Sequence, residues 1–301
     1  MTGRVALVTA GEYAHHDDDL PPIVDALTAR GVDAVVADWH DAGARWADVD
    51  LAVIRSTWDY TWHLDEFLAW VDRVSGTTRL ANPGAVVRWN TDKRYLLDLG
   101  AGGVPTVPTR IVEPGNDLDG AALRDALPAA AEIVVKPVVS AGARDTERHA
   151  PEQRNRALAH VERLLGEGRA VMVQPYLPEI DEQGETGLVF LGDVFSHAFH
   201  KGPVLVPGSE LVDGLYRTET ISPAVAAPAE LDVADAALDA VADQVPGLSR
   251  RDLLYARVDI ARHEGGHVLL ELELVEPSLF CSTSAGAADR AAAAIAAALA
   301  A

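Results

Sequence analysis

Two strand-like stretches near the C-terminus constrain this chain more than anything else in it. Tyr255-Ala-Arg-Val-Asp-Ile260 and Val268-Leu-Leu-Glu-Leu-Glu-Leu274 flank His263-Glu-Gly-Gly266, a turn composition that folds them into a hairpin. Side chains alternate across a strand, so Arg257 and Asp259 share one face while Val258 and Ile260 take the other. By the same rule Glu271 and Glu273 project together. Three carboxylates and one guanidinium thus gather over a hairpin whose opposite face is apolar. Two readings fit. One is an antiparallel pair with a face in water, where acids are ordinary. The other is a site for a hard cation, because Mg²⁺ selects carboxylate oxygens and keeps phosphates and waters as further ligands.

Charge narrows the choice of partners. Of 301 residues, 25 are Lys or Arg and 46 are Asp or Glu, a net −21, which argues against nucleic acid or an anionic membrane. Any anion site must therefore be a local concentration of Lys and Arg. The single cysteine, Cys281, excludes an internal disulfide framework and a Cys-based zinc site, and beside Phe280 it reads as a packed thiol. Met1-Thr-Gly-Arg4 leads straight into an apolar strand, and the apolar tail over residues 291–301 is shorter than the ~20 residues a membrane span needs. These features predict a cytoplasmic protein closed by an Ala-rich helix.

The N-terminal stretch alternates strands and helices. Strands are expected at residues 5–9, 34–37, 51–54 and near Leu80, with a helix capped by Asp19 and another over residues 65–74. That order predicts a parallel, doubly wound sheet whose ligands bind beyond the carboxyl ends of its strands. One such end carries Arg55-Ser-Thr-Trp-Asp-Tyr60. Arg55 could fork a substrate carboxylate, Asp59 could hold an ammonium, and Ser56, Trp58 and Tyr60 could line the pocket. The competing reading is an aromatic loop packed on the next helix through Trp62 and Phe67. His15-His-Asp-Asp-Asp19 reads as an acidic helix start rather than a metal site.

Further on, a helix is expected over residues 86–99 with Lys93 inside it, and a strand over residues 132–137 ends at Lys136-Pro137. Ser140-Ala-Gly-Ala-Arg-Asp145 forms a small-residue loop in which Ser140, the amides around Gly142, and Arg144 suit phosphate; it lacks the Gly-Lys-Ser ending of a Walker A loop. A strand over residues 170–176 carries Gln174 and Tyr176. A hairpin ends at Lys201, and Arg217 lies in the loop beyond, a further candidate for substrate contact.

Lys93, Lys136, Gln174, Arg257-Val-Asp259 and Glu271-Leu-Glu273, taken in order with Asn82-Pro and Asn90-Thr-Asp-Lys93, resemble the ATP-grasp superfamily, in its glutathione synthetase and D-alanine–D-alanine ligase branch. Each motif is weak alone; five in the right order carry the resemblance, over roughly residues 80–280. Trp58-Asp-Tyr60 and Glu276-Pro-Ser-Leu-Phe280 are similar to a smaller subgroup, the cyclo-ligases that close O-ureido-D-serine to D-cycloserine.

The resemblance implies an α/β chain of the ATP-grasp fold, with an N-terminal parallel α/β substrate-side domain (1–84) and a two-lobed α+β nucleotide domain (85–301) whose lid spans roughly 105–175. It implies an ADP-forming carboxylate–amine ligase acting through an acyl phosphate. The substrate would be small and amino-acid-like. ATP would be held by Lys93, Lys136, Ser140, Gly142, Arg144, Gln174 and Tyr176, and two Mg²⁺ or Mn²⁺ ions by Asp259, Glu271 and Glu273. Arg257 and Lys201 would serve the reacting centre. An intermolecular peptide ligase and a non-catalytic nucleotide-binding protein stay open as alternatives, as do monomer and homodimer. Two departures stand out: the family's glycine-rich lid loop is reduced to Ser140-Ala-Gly142, and Glu273 replaces the usual asparagine. With three acids and no metal, removing Glu271 is expected to relieve repulsion.

Overall fold

The apolar run after Arg4 forms β1 (Arg4–Thr9), five of its six residues buried, in a computed structural model that describes residues 3–115, 131–205 and 220–301. Around it stand β2 (Asp33–Asp38), β3 (Leu51–Ser56) and β4 (Arg79–Ala81), all parallel, in the order β2-β1-β3-β4. The crossovers contain α1 (Leu20–Ala29) and α2 (Leu64–Ser75). α1 turns Leu20, Ile23 and Leu27 inward at helical spacing, each worth roughly 1.5–3 kcal/mol of burial. Asp19 does not cap α1 with its side chain. Its carboxylate accepts instead from three backbone amides far along the chain, Leu279 (2.7 Å), Phe280 (3.0 Å) and Cys281 (2.7 Å).

The single helix expected over residues 86–99 is two: α3 (Gly84–Asn90) and α4 (Tyr95–Ala101). Long-range bonds outcompete local propensity at the break. The Asn90 amide group donates to Leu272 O (2.8 Å) and accepts from Leu274 N (2.8 Å), and Lys93 N donates to Val138 O (2.9 Å). Lys93 is thereby turned inward.

A second, antiparallel sheet follows, from β5 (Arg110–Val112), β6 (Ile133–Pro137), β7 (Glu147–His149) and β8 (Val171–Pro175), in the order β5-β8-β6-β7. α5 (Arg154–Gly166) covers it, packing Ala157, Val161 and Leu164 against Val135 and Val173. Residues 116–130 of the expected lid lie outside the described residues.

The third sheet begins after the short α6 (Glu179–Gln183). It contains β9 (Glu185–Leu191), β10 (Val194–Lys201), β11 (Ile221–Ala224), β12 (Tyr255–His263) and β13 (Gly266–Glu273), antiparallel in the order β11-β10-β9-β12-β13. α7 (Pro228–Gln244) lies on it. Here β12 and β13 form the expected hairpin, with Arg257 opposite Glu273 and Asp259 opposite Glu271. Gly187 on β9 faces Asp259, and a Cβ there would sit 2.1 Å from the Phe199 ring; glycine makes room for that ring, which meets Phe280 at a tilt of 60° with centroids 4.6 Å apart. The Ala-rich tail forms α8 (Ala287–Ala300), which returns to the first sheet and buries Ala291, Ala292 and Ile295 with Val5, Leu7 and Ile23. Among the described residues no helix is long and apolar enough to cross a membrane.

Candidate active site

A cavity of about 600 Å³ opens where the three sheets meet. The hairpin supplies Arg257, Asp259, Glu271 and Glu273 to its wall. The α3–α4 break supplies Lys93, the β5–β8 lobe supplies Lys136, Ser140, Gly142, Gln174 and Tyr176, and β10 supplies Lys201. The N-terminal unit adds Trp58, Tyr60 and the run Asp17–Asp19.

Charges are paired inside this cavity. Lys93 Nζ lies 2.8 Å from Glu271 Oε1 and donates to Ser140 O at 2.6 Å. Arg257 forks Asp259, with Nε to Oδ1 and Nη2 to Oδ2 both 3.0 Å, and also bonds Glu273 and Ser278 O (3.2 Å). Lys201 Nζ is 3.7 Å from Glu185. Lys136 is half-buried, with no hydrogen bond or ion pair among the described residues; burial, then Lys93 and Lys201, pull its pKa down despite Glu271 and Glu185. An ammonium so placed is a ready partner for an anion.

The carboxylates divide by their neighbours. Burial works to raise Glu271, but Lys93 and Lys136 overcome it and hold the carboxyl near 2. Burial, with Glu271, Asp259 and Glu276 adding to it, pushes Glu273 up to about 8 against the pull of Arg257. Glu276 is raised to about 7, again by burial first. The four carboxyls of the acidic edge outnumber Lys93 and Arg257, which pair with Glu271, Asp259 and Glu273, and all its donors are hard oxygens. Mg²⁺ or Mn²⁺ fits such a set. The acids are strung along the hairpin rather than gathered at one point, as suits cations that take phosphate oxygens for their other ligands. The excess sits on Glu273, not on Glu271, so the expected relief from removing Glu271 is corrected: Glu271 is the acid with a close ammonium.

Several predicted contacts lie elsewhere. Arg55 is 1 % exposed and does not line the cavity; its guanidinium lies 3.4 Å from Asp17 and 3.6 Å from Asp19, and donates to Pro277 O at 3.1 Å. Ser56 is fully buried, with its hydroxyl on Thr9. Asp59 is buried too, holding Trp39 Nε1 (3.0 Å) and His40 Nε2 (2.6 Å) rather than facing a ligand. These three sit beneath the pocket because the strand end turns at once into a short 3₁₀ helix, Trp58–Trp62, whose outer residues reach the cavity. Arg144 stacks over Trp62 at 4.2 Å and pairs with Asp145 instead of entering the phosphate loop. Arg217 lies outside the described residues. Gln174 Nε2 bonds Thr109 Oγ1 at 2.8 Å, and the Tyr176 hydroxyl bonds Asp181 at 2.7 Å, so both line the cavity in fixed orientations.

Glu276, the first residue of Glu276-Pro-Ser-Leu-Phe280, lines the cavity without a predicted role. Its carbonyl accepts from Trp58 Nε1 at 3.1 Å, and the Tyr60 hydroxyl works against burial to lower its carboxyl's pKa. Its signal was there in the acid preceding Pro277, three residues after the last hairpin glutamate.

Comparison with known proteins agrees in direction. The profile of a family described as D-cycloserine synthetase DcsG, N-terminal domain, matches residues 5–82. The cycloserine biosynthesis protein DcsG of Streptomyces lavendulae is 41% identical over 299 residues, covering 98% of either chain. The crystal structure of D-cycloserine synthetase DcsG superposes with a TM-score of 0.89 at 41% identity, over 99% of this chain and 100% of that one. D-alanine–D-alanine ligase from Bacillus anthracis, solved with ATP, shares the fold at 13% identity, with a TM-score of 0.67 over 99% of this chain and 97% of that one.

Proposed function

The chain belongs to the family of D-cycloserine synthetase DcsG within the ATP-grasp ligases, and from that premise we propose that it closes O-ureido-D-serine to D-cycloserine in antibiotic biosynthesis. It is an ADP-forming ligase of the ATP-grasp fold. A carboxylate is a poor acyl donor because its negative charge repels nucleophiles. Transfer of the γ-phosphoryl group of ATP makes it an acyl phosphate. The nitrogen bonded to the substrate's side-chain oxygen then attacks the carbonyl carbon, and phosphate leaves; water removes the carbamoyl group from the same nitrogen as carbamate, which breaks down to CO₂ and NH₃. Both partners are in one molecule, so the protein need only hold it bent, at high effective molarity.

In this reading Lys93 and Lys136 hold phosphate oxygens and Lys201 supports the transferred group. Gln174 and Tyr176 border the adenine end, and Ser140 and Gly142 close on the phosphates. Asp259, Glu271 and Glu273 would hold Mg²⁺ or Mn²⁺, two ions in the proposal, which neutralise charge on the β- and γ-phosphates when bound. Arg257 stabilises the oxyanion of the tetrahedral intermediate. Trp58, Tyr60 and Glu276 shape the amino-acid end, with Glu276 the candidate for the substrate ammonium in place of Asp59. Residues 1–84 would form the substrate-side domain and 85–301 the nucleotide domain. A cytoplasmic location and a small-molecule partner complete the proposal.

One observation carries it: the Trp58–Tyr60 turn of the N-terminal unit meets the lysines and carboxylates of the central sheet in a single cavity, joined through Glu276. The test is ADP release from purified protein with Mg²⁺, ATP and O-ureido-D-serine, with mass analysis of the product. ADP and D-cycloserine formed in step support the reading. ADP release with paired amino acids, and none with O-ureido-D-serine, overturns it.

A further inference from the structure

Three buried side chains of the β5–β8 lobe aim at one another, away from the cavity. Alternation puts Glu147 and His149 on the same face of β7, and α5 brings His160 down onto them. Their exposures are 7 %, 1 % and 4 %, and none of the three lines the cavity. His149 Nε2 lies 3.5 Å from His160 Nδ1. Glu147 Oε2 is 3.8 Å from His149 Nε2, and Oε1 is 3.6 Å from His160 Nδ1. These gaps are long for hydrogen bonds. They approach the ligand–ligand edges of a tetrahedral shell, about 3.3–3.6 Å when metal bonds are about 2.0–2.2 Å.

We propose that Glu147, His149 and His160 bind one Zn²⁺ ion, separate from the catalytic cavity, that pins the edge strand β7 to α5. Among the described residues this is the cluster whose donor atoms all lie within 4.8 Å of one another. Two imidazoles and one carboxylate favour Zn²⁺ over Mg²⁺, which prefers oxygen throughout. Arg156 Nε donates to Glu147 Oε2 at 3.1 Å, which orients the carboxylate beside the two rings. Among the described residues the outward nitrogens, His149 Nδ1 and His160 Nε2, have no hydrogen-bond partner, so the rings are placed by packing and by what their inward nitrogens meet. Three protein ligands leave a fourth position for water. The site is structural in character: β7 pairs with β6, Val135 opposite Glu147, and β6 carries Lys136. A clip at the sheet edge stiffens the lobe that presents this lysine.

The test uses the whole protein, stripped with a chelator and then saturated with Mg²⁺ and ADP so that the catalytic acids are occupied. Zinc chloride is added, and zinc per chain and Tm are measured. One zinc per chain with a raised Tm is expected. His149→Gln and His160→Gln should each weaken binding by more than roughly a hundredfold and abolish the Tm shift, while Glu271→Gln keeps both. The proposal is overturned if wild-type protein retains no zinc, if both histidine variants retain it equally, or if Glu271→Gln alone loses it. Should a histidine variant fail to fold, Co²⁺ on the wild-type protein decides. An intense visible band of four-coordinate Co²⁺ supports the site, and the weak band of an all-oxygen octahedral ion refutes it.

Discussion

Replacing Arg55 by methionine keeps most of the side-chain volume and deletes a charge that the fold has enclosed. Its guanidinium is 1 % exposed and faces Asp17 and Asp19, themselves 3 % and 5 % exposed. Breaking a buried pair from one side leaves an uncompensated charge and costs about 3–5 kcal/mol. The contacts here are long, 3.4 and 3.6 Å, and Asp19 keeps its three amides, so the lower end applies, about 3 kcal/mol. At about 2–4 °C per kcal/mol, Tm should fall by roughly 6–12 °C. Combining Arg55→Met with Asp17→Asn should recover about half, because the second change removes the stranded anion. Scanning fluorimetry of the three proteins without ligand, followed by separate ATP and amino-acid substrate titrations, gives the answer. A Tm within about 1 °C of wild type, with substrate KM raised ten- to hundred-fold, would refute the brace and restore direct recognition of a substrate carboxylate.

Three further outcomes follow from the site. Glu271→Gln should abolish ADP formation and lower stability by about 1–2 kcal/mol, its pairing with Lys93 discounted for partial exposure; Glu273→Gln should instead raise the Tm of chelated protein, and the opposite order would overturn the charge assignment. Lys136→Ala should weaken nucleotide binding at least about tenfold by calorimetry with little change in Tm, since among the described residues this ammonium has no hydrogen bond or ion pair to lose. His197, 5 % exposed and bonded to Leu279 O at 2.8 Å, is held below its ordinary 6.5 by burial, then by Arg290. The unfolded chain therefore takes up a proton that the folded one refuses. Stability from this group is full above 6.5 and is lost as pH falls below it, and urea titrations of His197→Gln should show a flatter acid limb.

The hairpin was legible because a period of two depends on neighbouring residues alone: Arg257, Asp259, Glu271 and Glu273 all reach the cavity. The parallel sheet was legible for a similar reason, its strands being short apolar runs between helical patterns. What escaped depends on partners distant in sequence. The break at Lys93 needs Leu272 and Leu274, more than 180 residues from Asn90. Asp17 and Asp19 read as helix-start charges because Arg55 and the Leu279–Cys281 amides are invisible locally. Arg55, Ser56 and Asp59 were correctly placed at a strand end, yet a strand end points residues both into the cleft and beneath it. The three-residue strand holding Glu147 and His149 carries too few residues for any period to announce it.

The grip of Asp19 on the amides of Leu279, Phe280 and Cys281 bears on how such enzymes can be recombined. Phe280 is in the left-handed region at φ 48°, a shape that a bulky residue keeps only when its surroundings insist, and here the anchor is a carboxylate some 260 residues earlier. The first and last segments of the chain thus make one wall of the pocket between them. A chimera that exchanges residues 5–82 alone would bring the anchor and leave its loop behind. Residues 276–283 have to travel with the N-terminal unit if substrate preference is to be transplanted, and a circular permutation that joins the two ends would keep both halves of that wall together.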